Sequence, residues 1–197
     1  MKLTKVFILA SRSPRRRHLP RQLGIPFNVI PGDVDEAVSS RLAPHNQVQT
    51  LALRKAHAIS VRRRDALVLG ADTVVEHRGR VVGKPSSHDE ATSILRHLSG
   101  SVHTVHTGVA LVHEASGRSV TATESTEVTF GHLSDQEIAR YVTTGAPMDK
   151  AGAYGIQDDL GALFVKSIRG DYFNVVGLPL RRLYLMLKSH YGDLITW

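Results

Sequence analysis

Four places in the sequence combine residue types that can hold an anion or activate water. The first is Ser11-Arg12-Ser13-Pro14-Arg15-Arg16, where an apolar run gives way to a predicted helix. A helix N-terminus offers free N–H groups and a partial positive charge, so anions bind there and Asp or Glu usually fills its first turn. Here Arg15, Arg16 and Arg17 fill it instead. Either a bound anion offsets that like-sign penalty, or the arginines are simply exposed and screened by solvent. The segment is not a phosphate loop of the G-x-x-x-x-G-K-[ST] kind.

The second is Asp72, directly after the apolar run Leu67-Val68-Leu69-Gly70-Ala71. A carboxylate at the C-terminal end of an α/β strand faces the crevice where ligands bind. It could act as a general base, ligate magnesium, or cap a turn, and position alone does not choose. The third is Lys84 in Gly83-Lys84-Pro85, a point charge on a tight loop. The fourth is the acidic cluster Asp33-Val34-Asp35-Glu36, whose hard oxygens suit Mg²⁺ but equally suit a loop before a helix.

Other chemistries are closed off. The chain has no cysteine, which removes thiol nucleophiles, disulfides and thiolate metal sites. It has no G-x-S-x-G elbow, and His113-Glu114 lacks the second histidine of H-E-x-x-H. His103 and His106 are three apart on a predicted strand, which puts them on opposite faces.

The elements needed to position these groups follow from periodicity. Val6–Ala10 reads as a buried strand, Ser13-Pro14 as a helix start, Gly24 as its stop, and Phe27–Ile30 as a second strand. Asn46–Arg63 reads as an amphipathic helix with Leu51, Ala52, Ala56 and Ile59 on one face. After the Leu67–Ala71 strand, residues 74–82 resemble a hairpin with a glycine turn. Ser87 with Glu90 and Ser134 with Glu137 are capping-box signatures for helices reaching Leu98 and ending before Gly145. Strands are expected over His103–Val112, Ser119–Phe130 and Leu163–Ile168, and Pro179 opens a terminal helix through Leu183, Leu187 and Tyr191. The class is α/β with a mixed sheet, because hairpins accompany β-α-β units.

A length of 197 residues fits one domain, or two small lobes sharing a core. The net charge of +7 favours polyanionic partners such as nucleotides or nucleic acid, or reflects an arginine-rich surface. The Val6–Ala10 run is too short for a secretory signal and no stretch is long enough to span a bilayer, so the chain reads as soluble and cytoplasmic.

Taken together, the segments resemble the Maf family of nucleotide pyrophosphatases nearly end to end. The resemblance is carried by Leu9–Arg16, Asp35-Glu36, Lys55-Ala56, Gly70–Val75 and Gly83-Lys84-Pro85 in the first half. Leu98-Ser99-Gly100, Thr107-Gly108-Val109, Asp149–Gln157, Gly170-Asp171-Tyr172 and Asn174–Pro179 carry it in the second. It implies one Maf-type domain over residues 1–197, an extended mixed β-sheet with flanking helices, and two lobes around a central cleft, as in ITPase-like folds. It also implies a homodimer, a divalent metal (magnesium, with manganese as the alternative), hydrolysis between the α- and β-phosphates, and a house-cleaning role. Asp72 falls on the family's proton acceptor. Ser13, Arg15, Lys55 and Lys84 fall on phosphate-associated positions, and Glu36, alongside Asp72, on a metal-linked one. Arg16, Thr73 and Gln157 fall on positions that track substrate choice and resemble the branch acting on dTTP, UTP and modified pyrimidine nucleotides. Gln157 can both donate and accept, which suits the edge of uracil or thymine.

The chain departs from the family where many relatives follow Gln157 with glycine; here Asp158-Asp159-Leu160 precede Gly161. The Arg62-Arg63-Arg64 run is also outside the motif. The rival functions are a basic nucleic-acid-binding protein and a non-catalytic nucleotide binder. Aromatic residues are only 6% of the chain and are not interleaved with the basic ones, which speaks against the first.

Overall fold

The computed structural model describes residues 2–39 and 41–196. Among the described residues nine strands run in chain order: β1 Lys2–Leu3, β2 Phe7–Ala10, β3 Asn28–Val29, β4 Leu67–His77, β5 Arg80–Val82, β6 Val102–His113, β7 Arg118–Phe130, β8 Val165–Arg169 and β9 Ile195–Thr196. The α-helices are α1 Pro14–His18, α2 Pro44–Ser60, α3 His88–Leu98, α4 Asp135–Thr143, α5 Gly161–Phe164, α6 Tyr172–Val176 and α7 Leu180–His190. The main sheet has the order β3-β2-β4-β6-β7-β8, with β5 on β4. It is mixed: β2 lies parallel to β3 and β4, while β4–β5 and β7–β8 are antiparallel. The expected α/β class with a mixed sheet and flanking helices is therefore the observed one. Among the described residues no helix is long and apolar enough to cross a membrane.

The chain divides into two compact units. The first comprises residues up to Asp72, Thr107–Glu124, and Gly177 onward. Every side chain of β2 is buried, as its unbroken apolar run requires. Ser13 is the N-cap of α1 in extended conformation, Pro14 begins the helix, and Gly24 closes the following 3₁₀ turn in the left-handed region. α2 lies against the sheet through small residues: Ala52 and Ala56 pack with Ile8, Ala10 and Val68. Gly70 allows this approach, because a Cβ there would collide with the Ala52 carbonyl oxygen and reach Ala56 N at 2.8 Å. On α7, Leu183 and Leu187 are fully buried, and the Tyr191 hydroxyl reaches the carbonyls of Leu111 at 3.0 Å and Arg118 at 3.1 Å. β1 and β9 pair, Lys2 with Thr196, a two-stranded sheet that periodicity did not announce.

The second unit comprises Thr73–His106 and Ser125–Val176. The β4–β5 hairpin turns at Arg78 and Gly79, both at positive φ (50° and 74°), with His77 opposite Arg80. α4 has the full reciprocal capping box of Ser134 and Glu137. α3 has only half: Ser87 accepts from the Glu90 N–H, but the Glu90 carboxylate turns to Ser86 instead. Buried Asn174 donates to the Val105 carbonyl and Thr126 Oγ1, both at 2.9 Å.

Three expectations need correction. β4 does not end before Asp72 but continues to His77, so Asp72 is an interior strand residue. Leu163 and Phe164 belong to a helical turn, and the strand starts at Val165. Phe164 is buried there among Phe130 and Tyr141, which explains why its apolarity imitated a strand. Finally, α2 ends at Ser60, so Arg62-Arg63-Arg64 lies beyond the helix rather than on its last turn.

Candidate active site

In the first unit a charged cluster is built from α2, β4, the loop after β3 and α1. α2 supplies Lys55, which the Gly70 contact brings against β4. Its Nζ lies 2.7 Å from Asp72 Oδ1 and 2.6 Å from Glu36 Oε1. The Lys55 and Asp72 side chains are 11% and 13% exposed, while Glu36 is 59% exposed, so this is a largely buried pair with one arm in solvent. Glu36 reaches it because the loop after β3 presses on α2: a Cβ at Gly32 would stand 2.7 Å from the Lys55 carbonyl oxygen. Arg54 holds the same loop through the carbonyls of Asp35 (3.3 Å) and Ala37 (2.7 Å).

The acidic run therefore divides its labour. Asp33 pairs with Arg12 at 2.5 Å, Asp35 accepts the Ala37 N–H at 2.8 Å, and Glu36 alone turns to Lys55.

α1 contributes the remaining charges. Arg16 is buried, and its Nε donates to the Gly177 carbonyl at 2.7 Å. Burial works against its positive charge, the Asp72 carboxylate supports it, Arg15 opposes it and Glu36 supports it. Arg15, Arg16 and Lys55 thus set three cations against the two carboxylates Asp72 and Glu36, an excess suited to an anion. Half-buried Ser13 donates its backbone N–H to Ser11 Oγ at 3.1 Å, and its side chain makes no capping hydrogen bond to the helix start.

The second unit holds Thr73, Lys84 and Gln157. Thr73 follows Asp72 on β4 and is half-buried. Lys84 is exposed on the loop after β5, which is fixed by the Gly152 N–H donating to the Gly83 carbonyl at 3.0 Å and by the buried Pro85. Gln157 is exposed, and its Nε2 donates to Asp158 Oδ1 at 2.9 Å.

The structure thus gathers Ser13, Arg15, Arg16, Glu36, Lys55 and Asp72 in one unit, with direct contacts among Glu36, Lys55 and Asp72. Arg54 and Gly32, which hold Glu36 in place, were not anticipated. The available signals were an arginine beside Lys55 and a glycine just ahead of the acidic run.

Among the described residues no group of three or more His, Asp or Glu side chains is arranged to hold a metal ion. The donor set nevertheless suits magnesium, which uses one or two carboxylates and takes its other ligands from water and substrate phosphates. Asp72 and Glu36 already converge on a single cation, the Lys55 ammonium. His103 and His106 are engaged elsewhere: His103 Nε2 with the Tyr154 hydroxyl at 2.8 Å, and His106 with Glu76 at 2.9 Å and Ser125 at 2.8 Å.

Comparison with known proteins finds relatives over nearly the whole chain. A dTTP/UTP pyrophosphatase of Salinibacter ruber is 49% identical over 99% of this chain and 96% of its own. One of Moorella thermoacetica is 54% identical over 88% of this chain and 89% of its own. A HAM1 protein of Coxiella burnetii aligns in structure over 94% of this chain and 99% of its own, at a TM-score of 0.49 and 16% identity, too remote to bear on fold or function. Residues 6–190 match the family model described as Maf-like protein, and the chain belongs to that family.

Proposed function

We propose that this chain is a nucleoside-triphosphate pyrophosphatase that hydrolyses dTTP and UTP to the monophosphate and pyrophosphate, acting as one catalytic domain over residues 1–197. The relatives named dTTP/UTP pyrophosphatase, matched over nearly the whole chain, support the activity. The observation that carries the mechanism is the largely buried Asp72, held at 2.7 Å by Lys55, which Glu36 also contacts. Further parts of the reading are a homodimer in the cytoplasm and a role in cleansing the nucleotide pool.

Hydrolysis between the α- and β-phosphates needs a water placed in line, a proton acceptor and charge neutralisation on the leaving pyrophosphate. Asp72 accepts the proton from the attacking water. The water oxygen bonds to the α-phosphorus, and the bridging oxygen leaves with the β- and γ-phosphates. Lys55 holds the Asp72 carboxylate in place. Ser13, the N-terminal N–H groups of α1, Arg15 and Lys84 bind phosphate oxygens. A bound divalent cation, magnesium by the donor set, would be held by Asp72 and Glu36 and would neutralise phosphate charge as a Lewis acid. Arg16, Thr73 and Gln157 select the base.

The test is a panel of dTTP, UTP, CTP, ATP, GTP, ITP and methyl-GTP with purified protein and magnesium, scored for pyrophosphate release. Preference for dTTP and UTP supports the reading. Preference for a purine nucleotide removes the base assignment, and oligonucleotide binding without any hydrolysis removes the enzyme.

A further inference from the structure

Asp158 follows Gln157 directly in the chain, and the second unit gives its carboxylate a built-in setting. Its Oδ1 accepts from Gln157 Nε2 at 2.9 Å. Its Oδ2 accepts from the buried Tyr141 hydroxyl at 2.7 Å and lies 3.1 Å from the ammonium of buried Lys150. Lys150 is itself fixed by the Ala146 carbonyl at 2.6 Å and Asp149 Oδ1 at 2.9 Å. The Asp158 carboxylate thus has a cation within reach, shared with Asp149, and a hydroxyl donor on the same oxygen. Its backbone is tied as well, its N–H donating to the Gly155 carbonyl at 3.0 Å. Even Gly155 is shaped to this contact: a Cβ there would lie 2.7 Å from the Asp158 carboxylate and 2.7 Å from Gln157 Nε2.

A carboxylate only accepts hydrogen bonds, so the end of the Gln157 amide facing Asp158 must be its NH₂. That removes the amide's freedom to flip. A free glutamine amide pairs with uracil by accepting from N3–H and donating to O4. Flipped, it pairs with cytosine by donating to N3 and accepting from the 4-amino group. Only one of these orientations survives when the nitrogen is pinned.

We propose that Asp158 is a positioning residue that locks the Gln157 amide in the orientation reading uracil and thymine, and so rejects cytosine nucleotides. The inference rests on the assignment of Gln157 to base selection made above. Discrimination between UTP and CTP then depends on Asp158 through its hold on Gln157.

The experiment is kcat/KM for UTP and CTP in the wild type, Asp158→Ala, Gln157→Ala and the double variant, with a melting curve for each. Asp158→Ala should lower the UTP/CTP ratio about tenfold, the scale of one hydrogen bond to a charged group. In the Gln157→Ala background the same change should alter the ratio by less than about twofold, because the residue through which it acts is gone. If Asp158→Ala does not fold, Tyr141→Phe removes one hold on Oδ2 and should lower the ratio by about threefold. A wild-type ratio retained in Asp158→Ala, or in Tyr141→Phe when Asp158→Ala does not fold, while Gln157→Ala loses it, overturns this inference alone. So does an equal effect of Asp158→Ala with and without Gln157. A wild-type enzyme with no preference for uracil or thymine nucleotides overturns the base assignment and this inference with it.

Discussion

Replacing Lys55 by methionine tests the charged cluster at its centre. The substitution keeps most of the side-chain volume and removes the ammonium that lies 2.6 Å from Glu36 and 2.7 Å from Asp72. Deleting one partner of a fully buried ion pair costs about 3–5 kcal/mol, because the other charge is left uncompensated. Here only the Asp72 arm is buried, at 13% exposure; the Glu36 arm, at 59%, is screened and contributes under about 1 kcal/mol. Arg16, whose charge Asp72 supports, softens the loss further. Lys55→Met should therefore destabilise by about 2–4 kcal/mol, read as a shift in the urea midpoint at constant slope. Adding Asp72→Asn removes the stranded carboxylate, so the double variant should recover roughly 2 kcal/mol of that loss. A cost under about 1 kcal/mol, the value of an exposed pair, would show that Lys55 and Asp72 do not meet as described.

Asp72→Asn alone should lower kcat by at least about 10²-fold while nucleotide binding persists, since losing a negative charge near phosphates does not weaken their attraction; near-normal turnover would make Asp72 a strand residue without a proton to move. Gly70→Ala puts a methyl into the Ala52 carbonyl and should cost about 1–3 kcal/mol in urea while displacing Lys55, so activity should fall with it; an unchanged melting temperature would contradict the close approach of α2. Buried His103 has its pKa pushed down to about 3, first by burial and then by His77. In the unfolded chain it titrates near 6.5, so the unfolded state binds the extra proton and stability is full above that value. It should fall by up to ~1.4 kcal/mol per pH unit on acidification toward pH 5, a slope that His103→Gln should flatten and that a pH-independent melting temperature would rule out.

Much of the framework was legible from sequence because local and global signals agree there. The β2 run, the Ser13-Pro14 start, Gly24 and the Ser134/Glu137 box each carry a residue-level reason that tertiary packing does not override. What was missed depended on contacts distant in sequence. The true length of β4 is hidden because Asp72 and Thr73 interrupt its apolar run, while both are half-buried strand residues. The helical turn at Leu163 and Phe164 is set by Phe164 filling a place beside Phe130 and Tyr141, which no period reveals. For the site, the motif residues were recognisable singly, and the Lys55 bridge from Glu36 to Asp72 was not. That bridge depends on Gly70 and Gly32 bringing backbone to backbone, and a glycine in a strand or loop does not state what approaches it. Asp158 is legible in the sequence only as a departure from the family pattern; its contacts with Tyr141 and Lys150, 17 and 8 positions away, are not.

The proposed chemistry breaks the bond between the α-phosphorus and the α,β-bridging oxygen. UTP incubated with the purified protein and magnesium, followed by phosphorus NMR or anion-exchange chromatography, gives the products directly. UMP and pyrophosphate should appear in equal amounts, with no UDP at any time. UDP and orthophosphate as the first products would contradict this cleavage.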